Sequence, residues 1–384
     1  MNFIKVIVAI ALIVLFLVFV AQHAYYVQLN LFGMTYQVPL FVIILISFAV
    51  GFILPALYFL VKDVKHSSFR KSLMKGISHL ARGYFQKAEG ELLSASKKIE
   101  EVALITIKAI AERGEIHRAR ELNLSREKGL VDAILGYYLL KSKDYQKAKE
   151  SFTSSLSKDP YNLTALKGLR DISFLEKDML TCISYQEKVL KLCEKWEKDL
   201  QKRVFAEMLA YASEILPEKR EEFLKKALDT YKTFYTQAIW IKYMLEKGDS
   251  KEAKKQLDKA FSEGTQNEVL AILYQDEEKL TKIMDFIRER QESINPEVLV
   301  RIYIKLSLFT QIKPLLDKVS QPLKLIALSS ESHRDIDKTC GDVLQKLYRP
   351  WVCSCGEVYN SYVPLCERCL TWGNIILRRT DDAF

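Results

Sequence analysis

The strongest constraint on this chain is an uncharged run, because residues 6–61 contain no Lys, Arg, Asp or Glu. Nearly all of its 57 basic and 48 acidic residues follow that run. An apolar helix of about 20 residues spans the hydrocarbon core of a bilayer. The chain therefore joins a segment suited to lipid to a longer segment suited to water. That combination excludes a purely soluble enzyme, a polytopic transporter and a fully disordered chain.

Two stretches are long and apolar enough to cross a membrane. Residues 3–21 are apolar apart from Lys5, and residues 39–61 have only small or weakly polar interruptions. A cleaved signal peptide is the alternative for the first stretch, but the second span favours a two-helix transmembrane hairpin. Basic side chains dominate residues 62–82, so both termini are expected in the cytoplasm and the link at residues 22–37 outside. From Val6 onward neither span carries an acidic or basic side chain, which favours a lipid-embedded anchor over an ion pathway.

The middle of the chain predicts a helical repeat array. Over residues 69–309 apolar residues recur every three or four positions, and Pro and Gly are few. One segment has the tetratricopeptide pattern, with Gly136 and Ala148 as small contact residues, Tyr145 and Phe152 as fillers, and Pro160 as the stop. Similar small residues recur in weaker copies, at Ala88, Ala119, Ala148, Cys182 and Ala253. Their spacings of 31, 29, 34 and 71 leave room for one divergent unit near residues 205–235.

This pattern predicts an α-solenoid, with an irregular helical bundle as the alternative. A solenoid stacks helix pairs so that each pair contacts its neighbours and the first helices form a long binding surface for peptides. By register we expect Tyr137, Lys167 and Asp171 in that groove. Cys182 and Cys193 are most simply interpreted as small core residues on helices.

Four cysteines near the C-terminus predict a metal site. Cys353 and Cys355 form one close pair, and Cys366 and Cys369 form another. Four thiolates complete a tetrahedral site for zinc, and the same ligands also hold iron. Cys340 in place of Cys353, unligated thiols and disulfides are the alternatives. We expect zinc, since the chain has no flavin or nicotinamide fingerprint for a redox partner. A segment this short would draw much of its folding energy from the metal.

Two parts of the chain resemble known families. Residues 29–33 with Val38, Pro39, Phe48 and Gly51 resemble the two-span domain of lipopolysaccharide assembly protein A. The order of anchor, repeats and cysteine pairs resembles lipopolysaccharide assembly protein B, and its closest motif residues are Tyr348, Arg349, Pro350, Cys355, Gly356, Cys366, Cys369 and Trp372. That family usually has one membrane span, and its first cysteine pair is one residue longer. The chain therefore looks like an A-type anchor fused to a B-type body.

The resemblance implies a mainly α protein with three domains. They are a transmembrane hairpin anchor at residues 1–65, a tetratricopeptide-like array at 66–335 and a rubredoxin-like zinc domain at 345–384. It also implies an adaptor at the bacterial inner membrane. Such an adaptor brings the deacetylase of lipid A synthesis to a membrane AAA protease and so regulates lipopolysaccharide output.

Other functional classes have less support. An iron-binding, rubredoxin-like electron carrier is the main alternative. Nucleic-acid binding would suit the net charge of +9, but no basic stripe with interleaved aromatic residues occurs. An enzyme is not expected, because hydrolase and phosphate-loop motifs are missing from the sequence. The sequence leaves open whether identical chains associate.

Overall fold

The computed structural model describes residues 25–31, 34–97, 99–122, 125, 127–331 and 349–378, with a few isolated positions elsewhere. The chain divides into two compact units, residues 1–109 and residues 110–384. The first predicted membrane span, residues 3–21, lies outside the described residues apart from isolated positions.

The first unit begins with a β-hairpin that the sequence did not predict. Strand β1 (Tyr26–Leu31) pairs antiparallel with β2 (Met34–Pro39), and Tyr26 lies opposite Pro39. Helix α1 (Leu40–Ala81) follows without a gap and is 42 residues long. Its end packs with α2 (Phe85–Ser96) and the start of α3 (Glu100–Glu112) around Ala88, Leu92 and Val102.

The second predicted span, residues 39–61, falls within α1 except for Pro39, which is the last residue of β2. Within the described part of the chain, no helix combines the length and the apolar character that crossing a membrane requires. The hairpin of membrane spans therefore stays a prediction. The helix also runs unbroken across residue 65, where the sequence suggested the end of the anchor.

The second unit is built from consecutive antiparallel helix pairs. After α4 (Ile116–Glu121), the first helices of the pairs begin at residues 128, 163, 198, 234, 266 and 296, which are 35, 35, 36, 32 and 30 residues apart. The helices are α5 (Lys128–Lys141), α6 (Tyr145–Lys158), α7 (Leu163–Leu175), α8 (Met179–Leu192), α9 (Lys198–Ile215), α10 (Arg220–Thr230), α11 (Phe234–Glu246), α12 (Ser250–Glu263), α13 (Gln266–Leu273), α14 (Glu277–Glu289), α15 (Pro296–Lys305), α16 (Phe309–Ile312) and α17 (Gln321–Glu331). Each pair packs against the next, which is the organisation of a solenoid.

The small residues that revealed the repeat occupy one structural position. Ala88, Ala119, Ala148, Cys182 and Ala253 are each the fourth residue of the second helix of a pair, and each is buried. In α10 the fourth residue is Phe223, which explains why this unit looked divergent. In α14 and α16 it is Leu280 and Ile312. Helix pairs therefore continue beyond Gly264, although the repeat pattern in the sequence is weaker there.

The turn between the two helices of a pair also repeats. The residue two positions before the second helix has a positive φ in six pairs, at Gly83, Gly114, Lys143, Lys177, Gly248 and Ser307. This left-handed residue reverses the chain. Asp144, Asp178 and Asp249 then cap the second helix by accepting a hydrogen bond from a backbone amide.

Phe152 shows how tightly neighbouring helices approach. A Cβ atom added to Gly136 on α5 would lie 2.8 Å from the Phe152 ring, and one added to Gly168 on α7 would lie 2.3 Å away. Both glycines are therefore needed for the ring of α6 to fit between two first helices. The expected role of Gly136 as a close-approach residue is confirmed.

The chain ends in a small sheet. Strands β3 (Trp351–Cys353), β4 (Val358–Tyr359) and β5 (Ile375–Leu377) form an antiparallel sheet in the order β4-β3-β5. Residues 349–378 are called the C-terminal domain below. Trp351 on the central strand is fully buried, and its neighbours include residues of α11.

Candidate metal centre and its docking on the helices

The four predicted cysteines lie together at one end of the small sheet. The sulfur atoms of Cys353, Cys355, Cys366 and Cys369 all lie within 4.8 Å of one another. The Cys353 and Cys369 sulfurs are 3.5 Å apart, and those of Cys355 and Cys366 are 3.7 Å apart. Four thiolates at about 2.3 Å from a zinc ion would be separated by about 3.8 Å. The cluster could therefore hold a metal ion in a closed tetrahedral site.

Two tight turns supply the two thiol pairs. The Gly356 amide donates to the Cys353 carbonyl at 2.8 Å, and Gly356 has a φ of 86° that suits glycine. The Leu370 amide donates to the Cys366 carbonyl at 2.8 Å. The first turn is short, with one residue between its cysteines, yet it directs both sulfurs into the cluster.

The surroundings of the thiols favour at least one thiolate. Burial alone would raise the pKa of Cys366, but the Tyr359 hydroxyl donates to its sulfur at 3.2 Å, and nearby backbone amides donate as well. These bonds lower the pKa of Cys366 to about 7. Burial instead raises the pKa of Cys353 to about 12. A metal binds the deprotonated thiol, and the hydrogen bond from Tyr359 stabilises that form of Cys366. Tyr359 would therefore support the metal site without being a ligand itself.

Trp372 connects the C-terminal domain to α7 through a hydrogen bond and a ring contact. Its indole nitrogen donates to the Asp171 carboxylate at 2.8 Å, and its ring packs edge-on against Phe174. The Arg170 guanidinium lies 5.1 Å from the Trp372 ring centre and donates to both Asp171 and Gln186. Burial raises the pKa of Asp171, although Arg170 and Trp372 oppose that rise.

A second buried contact fastens the domain to α9. The Tyr362 hydroxyl donates to Glu207 at 2.9 Å, and Arg203 donates to both Glu207 and the Gly373 carbonyl. Burial raises the pKa of Glu207, while Arg203 and Tyr362 counteract it. Burying an unpaired carboxylate is costly, so Glu207 depends on these partners.

Aromatic rings fill the space between these two contacts and α11. Phe234 stacks on Trp351 with ring centres 6.0 Å apart and meets Tyr362 edge-on at 5.0 Å. Tyr235 lies 4.9 Å from Tyr362. The cysteine cluster thus belongs to a domain that packs on the first helices of three successive pairs, α7, α9 and α11.

The three predicted groove residues lie in different environments. Tyr137 is exposed on α5 and packs edge-on against Tyr138. Lys167 is half-buried and pairs with Glu197, whereas Asp171 is buried beneath Trp372. Lys167 and Asp171 are four residues apart and therefore lie on the same side of α7. Whether any of them binds a client stays a prediction.

Sequence reasoning missed the side chains that receive the C-terminal domain. Arg170, Arg203, Glu207, Phe234 and Tyr235 looked like ordinary members of helices. Glu207 and Tyr362 are 155 positions apart, and Asp171 and Trp372 are 201 positions apart. No local pattern marks such pairs. The one available signal was a charged residue within an otherwise apolar first-helix face.

A cavity opens beside the docked domain. It has a volume of about 220 Å³ and is bounded by α9, α11, the segment from α13 to α14, and residues 361–363. Ile239, Ile272 and Val363 give it an apolar side. Its polar side carries Lys242, which pairs with Glu214 at 2.6 Å, and Lys279, which pairs with Glu246 at 2.8 Å.

Comparison with known families decides the first resemblance. Residues 24–82 match the family model of the lipopolysaccharide assembly protein A domain. The matched segment begins just before strand β1 and ends one residue after α1. This A-type domain therefore corresponds to the β-hairpin of β1 and β2 together with helix α1. The resemblance expected from residues 29–51 is therefore confirmed. The repeated helix pairs and the four-cysteine cluster also fit the B-type architecture.

Beyond the A-type domain, the comparisons are general. No curated protein matches the chain in sequence. A tetratricopeptide repeat protein from Parabacteroides merdae is 18% identical, with a TM-score of 0.37 and coverage of 72% of this chain and 99% of its own. The Naa15/Naa10 structure with bound HypK is 14% identical, with a TM-score of 0.37 and coverage of 73% and 46%. The assignment of a solenoid rests on the helix pairs themselves.

Proposed function

We propose that this chain is a protein-binding adaptor of lipopolysaccharide assembly. The observation that carries the proposal is the A-type domain at residues 24–82, on the same chain as consecutive helix pairs and a four-cysteine domain. In this proposal residues 1–65 anchor the chain in the inner membrane of a Gram-negative bacterium. The helix pairs and the cysteine cluster then face the cytoplasm, where thiols stay reduced and free to bind a metal.

The surface around the docked domain is the proposed place for a client. Lys167 and Asp171 are already engaged within the chain, while Tyr137 and the cavity beside residues 361–363 remain accessible. A segment entering that cavity would touch the helix pairs and the C-terminal domain together. Its ion pairs, Lys242 with Glu214 and Lys279 with Glu246, would fix the orientation of a polar backbone or side chain.

The proposed client is the deacetylase of lipid A synthesis, and the proposed destination is a membrane AAA protease. An adaptor of this kind acts by proximity, since holding two proteins at one membrane raises their effective concentration to the millimolar range. The proposal needs no catalytic group in the chain. It requires only a surface for the client and an anchor beside the protease.

Deletion of the full chain tests the regulatory role. The deacetylase should then persist longer after synthesis is blocked, and the lipopolysaccharide content should rise. Restoring the full chain should reverse both changes, whereas a chain that begins at Lys65 should fold without reversing either of them. An unchanged deacetylase lifetime and an unchanged lipopolysaccharide content in the deletion strain would rule the role out.

The metal in this proposal is zinc, bound by Cys353, Cys355, Cys366 and Cys369. Zinc would supply structural stability without redox chemistry. Iron in the same ligands would make the domain a rubredoxin-like electron carrier. Metal analysis of the purified chain separates the two, since one equivalent of zinc in a colourless protein leaves no place for the carrier.

A further inference from the structure

The cavity beside residues 361–363 has the size of a single side chain. Its volume is about 220 Å³, whereas pockets for drug-sized ligands measure about 300–1,000 Å³. An apolar cavity of about 150 Å³ is large enough to bind benzene. The cavity is therefore suited to one side chain with one or two rings, presented by a partner.

The charged groups that line the cavity are already paired. Lys242 pairs with Glu214 at 2.6 Å. Lys279 pairs with Asp276, and with Glu246 at 2.8 Å. The lining thus contributes two cations and two carboxylates, and each cation already has its counter-charge. Because a charged ligand would have to disrupt one of these pairs, the lining favours a neutral ligand.

Aromatic and aliphatic side chains form the rest of the wall. The rings of Tyr211, Tyr235 and Tyr362 line the cavity together with Ile239 and Leu273. The rings of Tyr235 and Tyr362 already lie 4.9 Å apart. Aromatic rings at such distances attract one another beyond the apolar area that they bury. A wall with three tyrosines therefore favours a further ring over an aliphatic chain.

Glu214 gives the cavity a hydrogen-bond acceptor. Its carboxylate accepts from the Tyr235 hydroxyl at 3.3 Å and from Lys242 at 2.6 Å. A carboxylate has about four lone-pair positions, so it has capacity for a further donor. A ring that carries one N–H or O–H group would therefore suit both the apolar wall and this carboxylate.

We propose that the cavity binds one neutral aromatic side chain with a hydrogen-bond donor, a tryptophan or a tyrosine, from a protein partner. The source of that side chain rests on the adaptor function proposed above. Residues 361–363 belong to the C-terminal domain, so a bound ring would contact this domain and the helices together. Binding would therefore stabilise the docked position of the C-terminal domain by mass action.

Indole and p-cresol reproduce the two side chains as small probes. The full chain in detergent micelles, labelled with carbon-13 at its isoleucine methyl groups, reports binding through Ile239 and Ile272, which both line the cavity. Ile239→Val and Ile272→Val identify the two signals. We expect both probes to shift these signals and to saturate in roughly the millimolar range. Acetate and butylammonium, which are charged, should shift neither signal.

The hydrogen bond is tested by changing the probe rather than the protein. Benzofuran has the ring shape of indole but no donor. Hydrogen bonds to charged groups contribute about 1.5–3 kcal/mol, so benzofuran should bind about tenfold more weakly than indole, or weaker still.

A matched pair of variants tests the location. Ser361 is exposed and lines the cavity, so Ser361→Trp should fill it and weaken the binding of added indole about tenfold or more. Ser262 is exposed on α12 and is not part of the lining, so Ser262→Trp should leave the affinity unchanged. Both variants are measured in the same micelles, so uptake of indole by the detergent cancels from the comparison.

Four results would overturn the proposal. They are no saturable shift with indole, equal shifts with acetate or butylammonium, benzofuran binding as tight as that of indole, and equal indole affinity in the two serine variants. The probes are small molecules, so these results do not depend on which protein is the client. The deletion test of the regulatory role can therefore fail while the cavity still binds indole, and the reverse also holds.

Discussion

At the scale of single residues, the decisive contacts are polar groups buried between the C-terminal domain and the helices. Asp171 accepts from Trp372, and Glu207 accepts from Tyr362. Each carboxylate also has an arginine next to it, Arg170 or Arg203. Such contacts fix the position of the C-terminal domain more than they raise its net stability. Removing one partner is nevertheless costly, because the other buried group is left unsatisfied.

Trp372→Phe isolates one of these contacts. It keeps an aromatic ring beside Phe174 but removes the indole donor, so the buried Asp171 loses a hydrogen bond. We expect the free energy of opening the C-terminal domain to fall by about 1–3 kcal/mol. Native-state hydrogen exchange over residues 349–378 measures that quantity. The control is Trp196→Phe, because Trp196 is 78% exposed in the turn before α9, and it should change nothing there.

At the scale of helices, the sequence was sufficient to predict a helix pair where the repeat position holds a small residue. Ala148 and Cys182 were found because their helices cannot approach with larger groups at that position. The later pairs gave a weaker sequence signal because Leu280 and Ile312 replace the small residue, and the pair that contains Leu280 begins only 30 residues before the next. The β-hairpin was missed because its apolar and polar residues lie between two longer apolar stretches. The four cysteines were predicted from spacing alone, whereas their docking depends on pairs that local sequence cannot reveal.

Gly168→Ala tests the close approach of α6 and α7. The new methyl group would lie 2.3 Å from the Phe152 ring, so the ring or the helix must move. We expect Gly168→Ala to lower the free energy of unfolding of α6 and α7 by about 1–3 kcal/mol. This loss exceeds the gain from the better helix propensity of alanine. Gly90→Ala on α2 is the matched control, because nothing lies within 4 Å of its added Cβ. It should stabilise α2 by about 0.5–1 kcal/mol. Hydrogen exchange of each helix gives both values, and a stabilising Gly168→Ala would refute the packing argument.

At the scale of the whole molecule, the C-terminal domain connects the cysteine cluster to three successive helix pairs. Loss of the metal should therefore be felt on α7, α9 and α11, far away in sequence. Helix pairs hold their immediate neighbours, so the helices themselves should persist.

Cys369→Ser tests this coupling. We expect bound zinc to fall from about one equivalent to none, because a three-thiolate site is open and weaker. Hydrogen exchange should rise over residues 349–378 and over the faces of α7, α9 and α11 that contact them, while far-UV circular dichroism keeps most of its helical signal. Cys193→Ser, outside the cluster, is the control. A Cys369→Ser chain that retains its full zinc content would show that the ligand assignment is wrong.

Helix α1 gives the molecule a mechanical property. At 42 residues it is about 63 Å long, roughly twice the thickness of a hydrocarbon core. In the anchor proposed above, the first half of α1 would lie in the bilayer and the second half would project about 30 Å from it as a stiff rod. Phe69 and Leu73 on that rod pack against α2, and Leu92 comes close to Gly76. A tilt of the membrane-embedded half would then turn the first helix pair, because α1 continues from Leu40 to Ala81 without an intervening loop. Membrane thickness and lateral pressure could thereby set the height and heading of that pair.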